Sequence, residues 1–453
     1  FRQRVAYPRP PRRTPYWQDD PDFDLGYHLQ PVALPPPGDQ AALQEVVSQL
    51  AGTPLDLTRP LWQLHLVEVT GEASTTSPQD TPALGGRALI FRMHHSFADG
   101  MALVQVLLSG ADTDAHAPPP DAPEASAPTV DKIGHRATRG LVGKGLSLLT
   151  HPRRAAHLVR SGAEAAATLG ELVLIPPDSN PAFRGELDVT KRAAWSAPIP
   201  LPDIKTIGRR LGGTVNDVLL SAMTGALRRY LEAQGQSLGE ETSLTAGIAV
   251  NLRPPGTEAA LGNQLGFVYL SLPIEIADPA DRLRELKRRM NRHKDSLEAP
   301  VGLAALKAIG LVPASMQTAL VNFLGSKTTV LVTNVIGPRE PLYLAGAPIE
   351  QLMFWVPQSG GVGVGVSILS YAGRVWLGVL ADEGLVSNPG AIVASFQAEF
   401  DALLALAHET EETPSMNDLL GKLEDTLTRL DAILDRGAGE PEAASESSSD
   451  VAQ

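Results

Sequence analysis

One stretch constrains this chain more than any other: Arg87 to Gly100, RALIFRMHHSFADG. Ala88 and Ile90 alternate with Leu89, Phe91 and Met93, the period of a β-strand, and the apolar character of both sets predicts a buried one. The run ends in His94-His95, turns through Ser96, Phe97, Ala98 and Asp99, and passes at Gly100 into the helical apolar pattern of Met101 to Leu108. A lone pair of histidines at a strand exit is ordinarily one satisfied structural residue beside a surface one. The full spacing His-His-x-x-x-Asp-Gly, set between a strand and a helix, shifts the weight towards chemistry.

The totals narrow what that chemistry is. With 453 residues, two or three domains and more than one core are expected. The chain has no cysteine, which excludes disulfides, thiolate nucleophiles and cysteine metal sites, and agrees with a reducing cytoplasm. Any covalent acyl intermediate would need Ser, Thr, Lys or a carboxylate. The net charge is −13, but residues 409–453 hold 12 acidic and 3 basic side chains, leaving the body near −4. Bulk charge therefore points to no nucleic-acid partner. Neither a signal peptide nor an 18-residue apolar run stands out in the sequence. Because the chain opens at Phe1-Arg2-Gln3-Arg4 without a Met, its start is expected to be truncated.

Along the chain, residues 1–16 are basic, proline-rich and extended, and an acidic-aromatic loop follows at 17–24. A strand is expected at Tyr27–Ala33, a helix at Ala41–Gly52 capped by Asp39, and a strand at Leu61–Val69 that pairs with the Arg87 strand. Residues 71–86 read as a polar hairpin loop and 111–129 as a Pro/Ala-rich linker. Residues 130–174 read as mostly helical and basic at first: from Asp131 to Arg160 there are seven Lys/Arg against one Asp. That suits a packed connector with a solvated face, or a segment lying on an anionic membrane. After a boundary at Ile175-Pro176-Pro177, strands are expected at 187–197, 243–252, 267–274, 328–335, 351–356, 363–370 and 375–381. Helices are expected at 201–211, 215–233, 278–297, 391–408 and 416–434, with an apolar helical hairpin at 301–324 broken at Pro313, and a disordered acidic tail.

Several chemistries are disfavoured by pattern. Adjacent strand residues point to opposite faces, so His94 and His95 rarely reach one ion, and no HExxH or third ligand accompanies them; no metal is expected. Gly360-Gly361-Val362-Gly363-Val364-Gly365 lacks the GxGxxG spacing and precedes a strand, so it reads as a close-packed or bulged strand. No GxSxG nucleophile elbow is present. What remains is a histidine general base, whose ordinary pKa of about 6.5 suits proton abstraction at neutral pH. Asp99 can brace the turn, and Gly100 can allow tight packing or positive φ.

HHSFADG matches the HHxxxDG motif of CoA-dependent acyltransferases with the chloramphenicol-acetyltransferase-like fold. In order along the chain stand WQDDPDFDLGYH (17–28), Pro60-Leu61-Trp62, TVNDV (214–218), Asn251-Leu252-Arg253-Pro254, TNVIGP (333–338) and Ser370-Tyr371-Ala372-Gly373. Over about Phe1 to His408 the chain resembles the bacterial wax ester synthase/diacylglycerol acyltransferase family. That family normally has a further segment before the Phe1 region; the 71–86 loop and acidic tail depart from it.

The resemblance implies an α/β fold of two chloramphenicol-acetyltransferase-like domains with the active-site channel between them. The expected boundaries are 1–110 for the first domain, 111–176 for linker and connector helices, 177–408 for the second domain and 409–453 for the tail. It implies His95 as general base, with His94 supportive and Asp99 bracing the motif, and Arg253 as a guessed ion-pair partner for Asp99. Gly100, Asn216 and Asp217 are candidate substrate-binding residues, with Asn216 or backbone N–H groups serving the oxyanion. Pro60, Trp62 and Asn334 are expected as scaffold or channel wall. From the residues alone, Asn216-Asp217 is equally a helix N-terminal pair, and Pro60-Leu61-Trp62 a strand start with a core Trp.

The implied reaction moves a long-chain acyl group from acyl-CoA to a fatty alcohol or diacylglycerol, without a covalent intermediate and with no cofactor besides the acyl-CoA substrate. A cytoplasmic enzyme, peripheral on the inner membrane face or on lipid droplets, is expected. The alternatives are a secondary-metabolite acyltransferase or condensation enzyme using a carrier-bound thioester, and a non-catalytic lipid-binding protein on the same fold.

Overall fold

The computed structural model describes residues 1–7, 15–69, 86–97, 100–117, 181–239, 242–252, 265–293, 300–304, 314–412 and 426. The 71–85 loop, most of the 111–129 linker, the 130–174 segment, Asp99, Arg253, Pro313 and the 416–434 helix (Thr426 apart) lie outside the described residues.

The first part of the chain builds a hairpin, β1 (Gln3–Ala6) with β2 (Tyr16–Asp19), and then a three-stranded sheet. Its elements are α1 (Leu25–His28), β3 (Leu29–Leu34), α2 (Gln40–Gly52), β4 (Trp62–Val69), β5 (Arg87–Met93) and α3 (Gly100–Leu108). The sheet order is β3-β4-β5, with β3 parallel and β5 antiparallel to β4, so the expected pairing of the Leu61 and Arg87 strands holds. The expected Tyr27 strand starts two residues late, because Asp24 accepts the Gly26 N–H at 2.9 Å and caps a helical turn first. Asp39 caps α2 as expected, accepting the Ala42 N–H at 2.9 Å. β5 is not fully buried: it stands at the sheet edge among the described residues, and Leu89 is 41% exposed.

The second part builds a seven-stranded mixed sheet. Its elements are β6 (Lys191–Trp195), β7 (Ile199–Pro200), α4 (Leu201–Leu211), α5 (Val215–Ala233), β8 (Thr245–Asn251), β9 (Leu265–Ser271), α6 (Pro279–His293), α7 (Ala314–Gly325), β10 (Val330–Ile336), β11 (Tyr343–Leu344), β12 (Ala347–Pro348), β13 (Val364–Tyr371), β14 (Arg374–Asp382) and α8 (Pro389–Glu412). The order is β6-β14-β13-β10-β8-β9, with β7 beside β14, and β11 and β12 form a separate hairpin. β8, β10 and β13 run parallel, and the flanking pairs are antiparallel.

β13 and β14 are buried on both faces, which is why their sequences are largely apolar rather than alternating. One face, through Val366, Ile368, Leu377 and Val379, packs with Leu219, Met223 and Leu227 of α5 and Phe396, Phe400 and Leu403 of α8. By length and composition α8 is apolar enough to cross a membrane over Pro389–Glu409; here Ile392, Phe396, Phe400, Leu403 and Ala407 are core residues of the sheet. The strand expected at Gln351–Val356 does not form. That segment crosses β13 instead: the Ser367 hydroxyl donates to the Phe354 carbonyl at 2.5 Å, and a Cβ on Gly365 would stand 2.8 Å from the Val356 carbonyl. Of the glycine run, only Val364-Gly365 enters the close-packed strand; Gly360 and Gly361 form a turn at positive φ before it.

The two sheets meet along two seams. α2 covers the open edge of β6. Ser48 Oγ accepts the Ala193 N–H at 2.9 Å, Gln40 Nε2 donates to the Trp195 carbonyl at 3.1 Å, and Val47 packs on Ala193, Trp195 and Leu380. Side chains thus satisfy backbone groups that an edge strand would leave bare. In the other seam, Asp112 and Tyr343 exchange both backbone hydrogen bonds at 2.8 Å. Leu108 and Ala111 there pack on Val335, Leu342, Leu369, Tyr371 and Trp376.

Candidate active site

The histidine turn is pinned at its base. β5 ends with Met93 opposite Trp62, and the His94 N–H then donates to the carbonyl of buried Leu61 at 3.0 Å. The Pro60-Leu61-Trp62 motif therefore anchors the start of the turn as well as opening β4. Within the turn, the Phe97 N–H donates to the His94 carbonyl at 3.2 Å. The Ser96 N–H reaches His94 Nδ1 at 3.2 Å, and the Ser96 hydroxyl lies 2.9 Å from the same nitrogen. A backbone N–H only donates, so this Nδ1 presents its lone pair and the ring proton sits on Nε2. Partial burial, then the neighbouring His95 charge, push the His94 pKa below its ordinary value and favour this neutral form. His95 follows, and His94, His95 and Ser96 are all exposed.

An aromatic wall stands beside the turn. The Phe97 ring lies 4.7 Å from Trp17 and stacks at 6.0 Å on Phe1. Trp62 meets Phe1 edge-on at 6.3 Å, donates from Nε1 to the Phe1 carbonyl at 2.8 Å, and stacks on His28 at 4.3 Å. His28 is fully buried and lies between the Phe23 and Trp62 rings. Its Nδ1 is 2.6 Å from the Trp62 carbonyl, which makes Nδ1 the protonated nitrogen, and its Nε2 has no partner. The sequence alone gives His28, the last residue of WQDDPDFDLGYH, no role. The aromatic spacing Phe23, Tyr27, His28 was the available signal.

Across from α3 stands the exit of β10. Val104, Gln105, Leu108 and Ser109 face Val335, Ile336, Gly337 and Pro338 over a cleft of about 420 Å³, and Ile336 is 75% exposed. One residue before this rim, Asn334 Nδ2 donates to Asn216 Oδ1 at 3.0 Å. The structure thus brings Asn216 and Asn334 together on the α5 face of the sheet, while the next residue, Val335, packs on the Leu108 side.

Of the two readings of Asp217, the geometry fits the helix N-terminal one. Asp217 is buried and faces its own helix end: Oδ2 accepts the Thr214 N–H at 2.9 Å and the Thr214 hydroxyl at 2.7 Å, while the Thr214 oxygen accepts the Asp217 N–H at 3.2 Å. This is a reciprocal capping box, so the carboxylate's partners are those of a helix cap rather than a ligand. Nothing lies within 4 Å of where a Cβ on Gly100 would stand, so tight packing does not account for it among the described residues. Among the described residues, no group of three His, Cys, Asp or Glu side chains is placed to hold a metal ion.

Two mixed sheets joined along seams, with a pinned histidine turn opening the helix that faces the larger sheet, define the chloramphenicol-acetyltransferase-like class of acyltransferase. Residues 1–219 match the family model for the wax ester synthase/diacylglycerol acyltransferase catalytic domain, and residues 261–404 match the WS/DGAT C-terminal domain. A Mycobacterium tuberculosis protein provisionally named a diacylglycerol O-acyltransferase is 31% identical over 418 residues, covering 88% of this chain and 84% of its own. A second from that species, bearing the same kind of provisional name, is 28% identical over 408 residues. The solved wax ester synthase/diacylglycerol acyltransferase of Marinobacter aquaeolei VT8 shares the fold: TM-score 0.61 at 22% identity, covering 90% of this chain and 86% of that one. The chain belongs to the wax ester synthase/diacylglycerol acyltransferase family and is an acyltransferase.

Proposed function

We propose that this acyltransferase moves a long-chain acyl group from acyl-CoA to the hydroxyl of a fatty alcohol or diacylglycerol, with His95 as general base. The observation that carries the assignment is the state of its neighbour. The lone pair of His94 is held by the Ser96 N–H, so His94 has no free base to offer, and the exposed ring of His95 follows it directly. Neutral His95 accepts the hydroxyl proton as oxygen attacks the thioester carbonyl. The oxyanion is met by Asn216, whose Oδ1 is engaged by Asn334 and whose Nδ2 is left to donate. Collapse expels the CoA thiolate, and the imidazolium returns the proton. The α3–β10 cleft offers apolar walls to a chain. Both acceptors are lipids, so the place of work is a cytoplasmic lipid surface.

The test incubates the protein with palmitoyl-CoA and either hexadecanol or dioleoylglycerol and follows thiol release. Acceptor-dependent release is expected. Silence with palmitoyl-CoA but turnover of a carrier-bound thioester would move the protein to the condensation-type alternative. Lipid binding without turnover of any thioester would leave a non-catalytic binder.

A further inference from the structure

We propose that the hollow between α4 and the start of α5 binds the phosphate-bearing nucleotide end of the acyl donor. The inference rests on the acyl-CoA reading above and assigns a place to a part of that donor which the histidine turn does not touch. The hollow, about 430 Å³, is lined by Pro202, Lys205, Gly208, Arg209, Gly213 and Val215. Lys205 and Arg209 stand four residues apart on the exposed side of α4, so their cationic ends share one face.

Neither cation meets a carboxylate among the described residues; Arg209 only donates to the Thr206 hydroxyl at 3.2 Å. This sets them apart from Arg192, Arg228, Arg229, Arg288 and Arg289, each of which pairs with a glutamate. A third cation stands near, since Lys287 Nζ donates to the Gly212 carbonyl at 2.8 Å. The acidic side chain at the start of α5, Asp217, is buried in its cap with Thr214. Two glycines make the floor. The Gly213 N–H donates to the Gly208 carbonyl at 2.8 Å, and a Cβ on Gly208 would stand 2.5 Å from the Gly213 carbonyl oxygen, so backbone meets backbone there. Paired cations over a partly apolar concavity suit a phosphorylated nucleoside: phosphates for the Lys and Arg, a base for the apolar wall.

The hollow adjoins Asn216 along the chain. Val215 lines it, Asn216 follows and bonds Asn334, and the next residues of β10 line the cleft beside α3.

The experiment uses the full chain and the double variant Lys205→Glu/Arg209→Glu, whose exposed positions leave the core intact; Lys205→Gln/Arg209→Gln serves if charge reversal impairs folding. Binding of adenosine 3′,5′-bisphosphate is measured by calorimetry. The ratio of kcat/KM for palmitoyl-CoA to that for palmitoyl-S-N-acetylcysteamine, which lacks the nucleotide, is measured alongside. The expected result is loss of bisphosphate binding and at least a tenfold fall in that ratio. An unchanged ratio with bisphosphate binding intact overturns the proposal. So does loss of co-sedimentation with phosphatidylglycerol vesicles while bisphosphate binding persists, which would give the cations to a lipid headgroup. If the wild-type protein turns over neither thioester yet binds the bisphosphate through these residues, the hollow stands and the acyl-transfer reading falls.

Discussion

Asn334 donates to Asn216 across 3.0 Å, tying the exit of β10 to the first turn of α5 over 118 residues of sequence. The bond fixes which end of the Asn216 amide is left to donate. Asn334→Ala is expected to lower acyl-transfer kcat and to cost about 1 kcal/mol of stability, the typical net worth of one such bond. In a cycle with Asn216→Ala, urea denaturation should give a coupling of about 1 kcal/mol. Strictly additive effects would show that the two amides act apart.

Asp217 belongs to a cap, and its substitution should read as one. Asp217→Ala is expected to lower stability by about 1 kcal/mol, within the range for lost helix caps, while the folded protein keeps its turnover. A variant that melts normally but no longer releases thiol would return Asp217 to the substrate.

Glu399 on α8 ties two arginines. It accepts from Arg229 at 2.5 Å and from the fully buried Arg282 of α6. Glu399→Ala leaves Arg282 uncompensated in the core, an arrangement that typically costs about 3–5 kcal/mol. Gly225 of α5 lies against both side chains with no room for a Cβ, so Gly225→Ala should also lower Tm. An unchanged Tm for either variant would contradict this packing.

Much of this fold is legible in the chain because its signals are local. Asp39 marks the start of α2, and the run Val364–Tyr371 is apolar apart from Ser367 and Ser370 because both faces of β13 are covered. The segment 351–356 carries the same apolar character yet forms no strand, since its partners on β13 are a serine hydroxyl and a glycine rather than a backbone ladder. At the site, the histidine pair and the Asn216 motif stand out, but the division of labour does not. That His94 spends its lone pair on Ser96, and that Asp217 turns inward to Thr214, follow from three-dimensional geometry. The partner of His28, the backbone carbonyl of Trp62, lies 34 residues on, beyond the local aromatic spacing that marks the residue.

Acid should weaken the first sheet. Burial, first, and then a neighbouring positive charge lower the pKa of both His94 and His65; the second charge is His95 for His94 and Arg92 for His65. The unfolded chain takes up these protons near pH 6.5, whereas the folded one resists them, so the unfolded state binds more protons below that pH. The stabilising contribution is therefore full above about pH 6.5 and lost as pH falls through the lowered folded values. Tm should drop between pH 6.5 and 5, and His65→Leu should flatten that slope. An identical slope in the variant would remove His65 from the explanation.

The most direct test compares thiol release from palmitoyl-CoA, with hexadecanol or dioleoylglycerol present, in the wild-type protein and in His95→Ala at matched Tm. General-base catalysis is typically worth about 10²- to 10⁴-fold, and a loss of kcat of that size is expected while the fold persists. Turnover by folded His95→Ala at the wild-type rate would contradict the assignment of His95 as the base.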